Sequence, residues 1–239
     1  MLSQNTVDND PYEMLPHFGT RNVFYAGAIV NSTTISTLNC AATSAGTSAR
    51  TFTSDSLTGG RRVGLATSAS NTAARVIGAN AQFYRSTSLT TSGGFHFIGR
   101  FITTNVASNN RLFMGLYSST TAPTSAEPST LVNKIMIGAD STDTNLQLMT
   151  MNATTNTKVD LGIVKTTLAL YEVRFYIKPA GSTLVYSLTN EGTGTITSGS
   201  TTTTLPALGV AMTPTVFIIS SNASAQSIDF VQMYCESTS

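Results

Sequence analysis

From Tyr171 to Lys178 side chains alternate at every step. Tyr171, Val173, Phe175 and Ile177 fall on one side, and Glu172, Arg174, Tyr176 and Lys178 on the other. A period of two predicts a strand with one face in a core and one in water. Pro179-Ala180-Gly181 follows as a turn, and Leu184, Tyr186 and Leu188 resume the alternation, so the segment reads as a hairpin. The same reading predicts strands over 95–103, 111–117, 134–138, 146–151, 215–220 and 228–235, and earlier ones near 23–30, 62–66, 74–77 and 82–85. Ser92-Gly93-Gly94, Asn109-Asn110 and Ala122-Pro123-Thr124 are among the turn clusters between them. No window sustains apolar residues at i, i+3, i+4 and i+7, so helices are not expected. Short strands at this spacing predict an all-β protein: an antiparallel β-sandwich of jelly-roll type.

Several strands lack a clean polar face. In 95–102, Phe95, Phe97, Gly99 and Phe101 share one side, but His96, Ile98, Arg100 and Ile102 on the other are mixed. In 228–235, Ile228, Phe230, Gln232 and Tyr234 oppose Asp229, Val231, Met233 and Cys235. A mixed second face implies partial cover, and a neighbouring subunit is the expected cover in a sandwich with few helices. Residues 1–22 carry Asp8, Asp10 and Glu13 beside Pro11 and Pro16, and read as an extended lead-in or attachment segment. Residues 23–239 read as a single sandwich domain. Thr193–Thr204 is low in complexity, and fits either a loop or a polar edge strand.

Composition changes the picture at one point. Only 10% of residues are charged, whereas 28 Ser and 41 Thr are present among 239. Soluble monomers commonly carry about a quarter charged residues. This chain must stay wet with hydroxyls and amides, or hide surface against copies of itself. The net charge is +1 and the basic residues are scattered, with only Arg61 and Arg62 adjacent. That excludes the concentrated basic footprint that nucleic-acid binding needs. No run approaches the ~18 apolar residues of a membrane span. The N-terminal residues lack the basic and apolar regions of a signal peptide, so none is expected. Cys40 and Cys235 are too few for a disulfide framework, and two inert buried thiols are favoured over a bridge.

Candidate chemistry is sparse. The two histidines are His17, in the lead-in, and His96, among apolar strand residues; no nucleophile-elbow spacing accompanies either. Of the acidic residues, Asp140 and Asp143 form the one close pair in the strand region, within GADSTDTN ending at Asn145. Such a turn most often caps its own backbone; sugar contact, and then Ca²⁺ binding, are the alternatives. Tyr84, Arg85 and Tyr117 suit stacking on sugar rings, with packing the favoured alternative for each. Asn109, Asn110 and Arg111 fall in a predicted polar loop, 107–111, suited to saccharide hydrogen bonds. No catalytic residue, metal or cofactor is expected, and the chain reads as a binder and not an enzyme.

As a set, Arg61–Leu65, Ala79–Arg85, Gly93–Phe101, Leu112–Tyr117, Ala122–Thr130, Asp143–Met149, Lys158–Gly162 and Tyr171–Phe175 resemble the C-terminal β-sandwich modules of bacteriophage tail-fibre and related virion fibre proteins. The pieces are strand cores and turns, and bring no functional residue with them. The resemblance implies a homotrimeric, lectin-like or jelly-roll head on a virion appendage facing a bacterial surface polysaccharide. Other virion proteins would be partners through residues 1–22. The absence of a long repetitive shaft before the head departs from a typical fibre. It leaves room for a head-decoration, neck or connector protein with no host ligand.

Overall fold

Phe97 and Phe175 stand directly opposite one another on adjacent strands, their rings stacked with centroids 5.6 Å apart. Phe101 and Tyr171 repeat the pairing beyond Gly99 and Val173, at 5.5 Å. In a computed structural model of the chain, these pairs lie at the centre of a two-sheet antiparallel sandwich. The structure describes residues 23–27, 41–45, 47–49, 62–67, 73–77, 82–85, 93–105, 110–121, 123, 125–179, 181–220 and 226–237, with the backbone alone at 41–45, 47–49 and 73–77. The lead-in 1–22, Asn109 and Cys40 lie outside the described residues.

The strands, in chain order, are β1 Val23–Gly27, β2 Ala41–Ala45, β3 Thr47–Ala49, β4 Val63–Thr67, β5 Ala73–Ile77, β6 Phe95–Thr103, β7 Asn110–Tyr117, β8 Lys134–Ala139, β9 Asn145–Met151, β10 Asn156–Val164, β11 Ala169–Ile177, β12 Leu184–Asn190, β13 Thr195–Thr201, β14 Thr213–Ser220 and β15 Ser227–Ser237. Sheet A runs β13-β12-β11-β6-β15-β4-β3, with β1 also paired to β15. Sheet B runs β10-β9-β8-β7-β14-β5-β2. Phe95, Phe97, Phe101, Val173, Phe175 and Phe230 from sheet A meet Leu112, Met114, Leu116, Ile135, Ile137, Leu148 and Val216 from sheet B in one core. Burying an aromatic or branched aliphatic side chain contributes about 1.5–3 kcal/mol each. Gly99 lets the sheets close up, because a Cβ there would run into the Met114 sulfur.

Most expected strands stand within a few residues of their predicted bounds. β2 and β3 stand where no strand was expected, and four other segments are informative. Residues 82–85 make a single bridge, Phe83 to Met212, and no strand. β10 was not expected, although Val159, Leu161 and Ile163 alternate with Lys158, Asp160 and Gly162; it is an edge strand with only Leu161 and Ile163 buried, so its apolar side is short. Thr193–Thr204 contains β13, the polar edge strand, and not an open loop. In β15 a bulge between Phe230 and Gln232 shifts the register by one. The expected alternation breaks there: Ile228 and Phe230 face the core before the bulge, and Met233 and Cys235 after it.

The outer face of sheet B is dry across β7, β8, β9 and β14. Phe113, Tyr117, Met136, Met149, Phe217 and Ile219 form a second buried cluster there, together with Leu131. Leu131, with Ala126 packed beside it, belongs to a strap, 118–133, that leaves β7 and returns to β8. The strands whose mixed faces led to the expectation of a covering subunit, 95–102 and 228–235, are β6 and β15 of sheet A, whereas the strap covers β7, β8, β9 and β14 of sheet B. A short 3-10 turn, Pro128–Thr130, shapes the strap. The outer face of sheet A is more open: Val23, Tyr25, Tyr176, Val185 and Ile196 are exposed there.

Candidate functional site

The turn between β8 and β9 closes on itself before it meets anything else. The Asp143 amide donates to the Asp140 carbonyl at 3.1 Å, and the Asp140 amide donates to Asp143 Oδ2 at 2.8 Å. This is the self-capping that short polar side chains favour in turns. The second oxygens of both carboxylates accept from one ammonium: Lys158 Nζ lies 2.8 Å from Asp140 Oδ2 and 2.7 Å from Asp143 Oδ1. Lys158 comes from β10, two strands away in the sheet. Asp140 Oδ1 accepts from the Ser129 amide at 2.8 Å, which ties the turn to the strap.

Glu127 makes the second tie. Its carboxylate accepts from Arg111 Nε at 2.8 Å, from the Ser141 amide at 2.8 Å and from the Ser141 hydroxyl at 2.6 Å. Arg111 also donates to the Ser125 carbonyl at 3.1 Å. Beneath the strap the fully buried Lys134 donates to the Ser129 and Leu131 carbonyls, the latter at 2.8 Å. Towards the rim, Asn145 Nδ2 donates to both oxygens of Asp160 at 3.1 and 3.0 Å. Asp160 Oδ1 also accepts from the Gly162 amide at 2.7 Å, where φ is +67°.

The charges set one another. Burial pushes the Asp140 carboxyl up, but hydrogen bonds from Lys158 and Ser129 outweigh it and hold the group below its ordinary value. Burial likewise depresses Lys158, and its two carboxylates more than restore it, so its pKa is raised. Lys134 is pulled down to about 7 by burial, against a weaker pull upwards from Asp140. Lys165 is also lowered by burial, with Asp143 and Asp140 opposing. The Gly162 amide leads the effects that lower Asp160.

Of the residues expected to contact a ligand, Arg111, Asp140, Asp143 and Asn145 converge on this brace. The others do not. Asn110 is the first residue of β7 and fully buried, its amide donating to the Asn105 carbonyl at 2.5 Å, because the strand begins one residue before the predicted loop ends. Tyr117 is buried edge-on against Phe113, with centroids 6.2 Å apart, so its ring face belongs to the second cluster and not to a sugar. Arg85 holds the Pro206 and Gly181 carbonyls at 2.6 and 2.9 Å, and Tyr84 donates to Gln82 at 2.8 Å. Glu127, Lys158, Asp160 and Lys134 escaped sequence reasoning. The one signal was the outward alternation of Lys158 and Asp160 in KVDLG.

His96 lies on the outer face of sheet A, with Nδ1 3.8 Å from Glu236, and burial lowers its pKa. Among the described residues no group of three or more His, Cys, Asp or Glu side chains is placed to hold a metal ion. Among them, too, no helix is long and apolar enough to cross a membrane. Cys235 is a free, fully buried thiol, its pKa pushed up by burial.

No family model and no curated protein matches the sequence. Solved structures do match in fold. Peanut lectin, solved with a 9mer peptide, superposes with a TM-score of 0.61 at 14% identity, over 91% of this chain and 97% of that one. Lectin UEA-II complexed with galactose gives 0.57 at 13% identity, over 90% and 98%. A conserved carbohydrate esterase from the Shiga toxin-encoding bacteriophage phi24B gives 0.50 at 17% identity, over 83% and 90%. At these identities the likeness is one of architecture, and it establishes the chain as a lectin-like β-sandwich.

Proposed function

We propose that this protein is a non-enzymatic saccharide-binding component of a bacteriophage virion, a tail-fibre or related head that assembles as a homotrimer and recognises bacterial surface polysaccharide. The observation that carries the reading is the lectin-like sandwich, which spans about nine-tenths of the chain in its likeness to a lectin complexed with galactose. The likeness to a phage carbohydrate esterase adds support for a phage context. Surface chemistry agrees: a chain with 41 Thr, 28 Ser and 10% charged residues presents mainly hydroxyls, which suit saccharide hydrogen bonds. Three weak sites on one trimer would add by avidity. Adsorption to host cells before and after their polysaccharide is stripped, together with light scattering for the mass of the assembly, tests the reading. Equal adsorption to both cell preparations, or none, would overturn it.

One observation favours a second reading, a structural virion protein with no host ligand. The carboxylates of the β8–β9 turn are bound internally by Lys158, Ser129 and each other, and so behave as a brace. On that reading residues 1–22 dock onto another virion protein, and deleting them strips the chain from particles.

A further inference from the structure

The outer face of sheet A carries a shallow depression that the brace does not touch. It is lined by His96 of β6, Arg174 and Tyr176 of β11, Val185 and Ser187 of β12, and Ser198 of β13. Strand register puts these side chains in two rows across the sheet. Ser198 is paired with Ser187 and Ser187 with Arg174; Val185 is paired with Tyr176 and Tyr176 with His96. We propose that this depression is a binding site for an uncharged pyranose unit. The inference rests on the saccharide reading above and moves the contact from the loops to a sheet face.

Three features point to that ligand. The first is an apolar platform with a polar tip: Tyr176 is 44% exposed and Val185 is 47% exposed, so the ring and the branched side chain offer a surface for the C–H face of a sugar. The second is a set of uncommitted hydrogen-bonding groups. Among the described residues nothing engages the hydroxyls of Tyr176, Ser187 and Ser198. Arg174 spends only Nε, donated to Glu172 at 2.6 Å, and its half-exposed guanidinium keeps the outer nitrogens for an incoming hydroxyl. Concave sites with a few convergent polar groups on an apolar floor are where small ligands bind.

The third feature is charge. Glu172 is buried and accepts from both Arg100 and Arg174. Glu191 lies 4.0 Å from Arg100, and Glu236 stands beside His96, which burial drives towards its neutral form. With the exposed Lys178 that follows Tyr176 on this side, three cations thus face three glutamates, and no positive surplus is left to hold a carboxylated or phosphorylated sugar. The guanidinium is instead held in place by Glu172 as a neutralised, oriented donor.

The test uses the full chain with methyl α-D-galactoside, methyl α-D-glucoside and methyl α-D-mannoside as uncharged probes, and trigalacturonate as the acidic one, titrated by NMR. At least one uncharged probe is expected to bind and to shift resonances of β11, β12 and β13. Tyr176→Ala and Arg174→Ala should each weaken it by about tenfold. Tyr176 is exposed, so its variant should keep the wild-type circular dichroism and Tm; Arg174→Ala also takes a donor from buried Glu172 and should keep the circular dichroism but lower Tm. Tyr176→Phe should keep most of the platform contribution and lose the hydroxyl's. Binding that survives Tyr176→Ala but is lost in Asn145→Ala would overturn this site and leave saccharide binding at the rim of the brace standing. Binding of trigalacturonate alone would overturn the uncharged assignment. Probes excluded because a second copy of the chain covers the face, seen as a dimer or trimer whose contacts map to Tyr176, would overturn the site. Failure of any probe to bind, joined with failure to adsorb to polysaccharide-bearing cells, would overturn both this site and the reading beneath it.

Discussion

Phe113 lies across Phe217 on the outer face of sheet B, ring centroids 4.6 Å apart and planes inclined by 37°. The two are direct cross-strand partners on β7 and β14, and both are fully buried. An outer face is where a two-sheet sandwich ordinarily meets water. Here it is a second core with aromatic packing of its own. Phe217→Ala should therefore cost about 3–5 kcal/mol, as a truncation between the sheets would. Urea unfolding monitored by circular dichroism measures it. A cost below about 1 kcal/mol would mean that the strap stands off this face in solution.

The close fit of that second core depends on glycines in the ladder. Gly138 pairs with Phe113, and a Cβ on Gly138 would meet the Leu112 carbonyl oxygen and, at 2.6 Å, Phe113 Cβ. The first of these is main chain and cannot swing away. Gly138→Ala is expected to lose at least about 2 kcal/mol through overpacking. Gly162 offers the contrast. It has φ of +67° and open space around a built Cβ, so alanine there costs only the backbone term, about 1 kcal/mol. Comparing the two Tm values checks the ranking, and a larger loss at Gly162 would contradict it.

The inner core was legible because its period is strict. Phe95, Phe97 and Phe101 on β6 and Tyr171 to Ile177 on β11 announce their partners by alternation alone. The outer face of sheet A was legible as an anomaly, in the mixed sides of 95–102 and 228–235. The second core of Phe113, Phe217 and Met136 on sheet B was not foreseen. A strap folding back from 118–133 cannot be seen in periodicity, because most of its residues are Ser, Thr, Ala and Pro with no repeat. The Asp140–Asp143 turn was found for the right reason, since its spacing caps a backbone. Its cation was not, because Lys158 is brought to it by strand order and not by neighbouring sequence. The depression around Tyr176 was hidden the same way, its six side chains coming from four strands.

Lys158 gives the brace its acid limb. Asp140 has a folded-state pKa below its ordinary value, so its contribution is present above the unfolded pKa and is lost as pH falls through the folded one. Lys158→Met removes the shared cation and leaves two neighbouring carboxylates to repel. Stability at neutral pH should fall by about 1–3 kcal/mol. The loss should shrink below pH 4, where protonated carboxylates no longer need the ammonium. Tm measured from pH 3 to pH 7 for both proteins checks this, and a constant difference across the range would refute the pairing.

Lys134 works in the opposite direction on the alkaline side. Its pKa is lowered from 10.5 to about 7 by burial under the strap. Below pH 7 the folded and unfolded chains both hold the proton, and the cost of burying the ammonium is present in full. Between pH 7 and 10.5 the folded chain has released it and the unfolded chain has not, so stability rises with pH, by at most about 1.4 kcal/mol per unit. The Cys235 thiol, raised well above 9.0, opposes the trend once the unfolded thiol ionises, which confines the useful window to pH 7–9. Lys165 contributes in the same sense as Lys134, so Lys134→Met should reduce the rise in Tm across that window without abolishing it. The slope is the informative quantity. The substitution also leaves the Ser129 and Leu131 carbonyls without their donor, and so lowers Tm at every pH. A mutant slope equal to the wild-type slope would show that Lys134 keeps its proton under the strap.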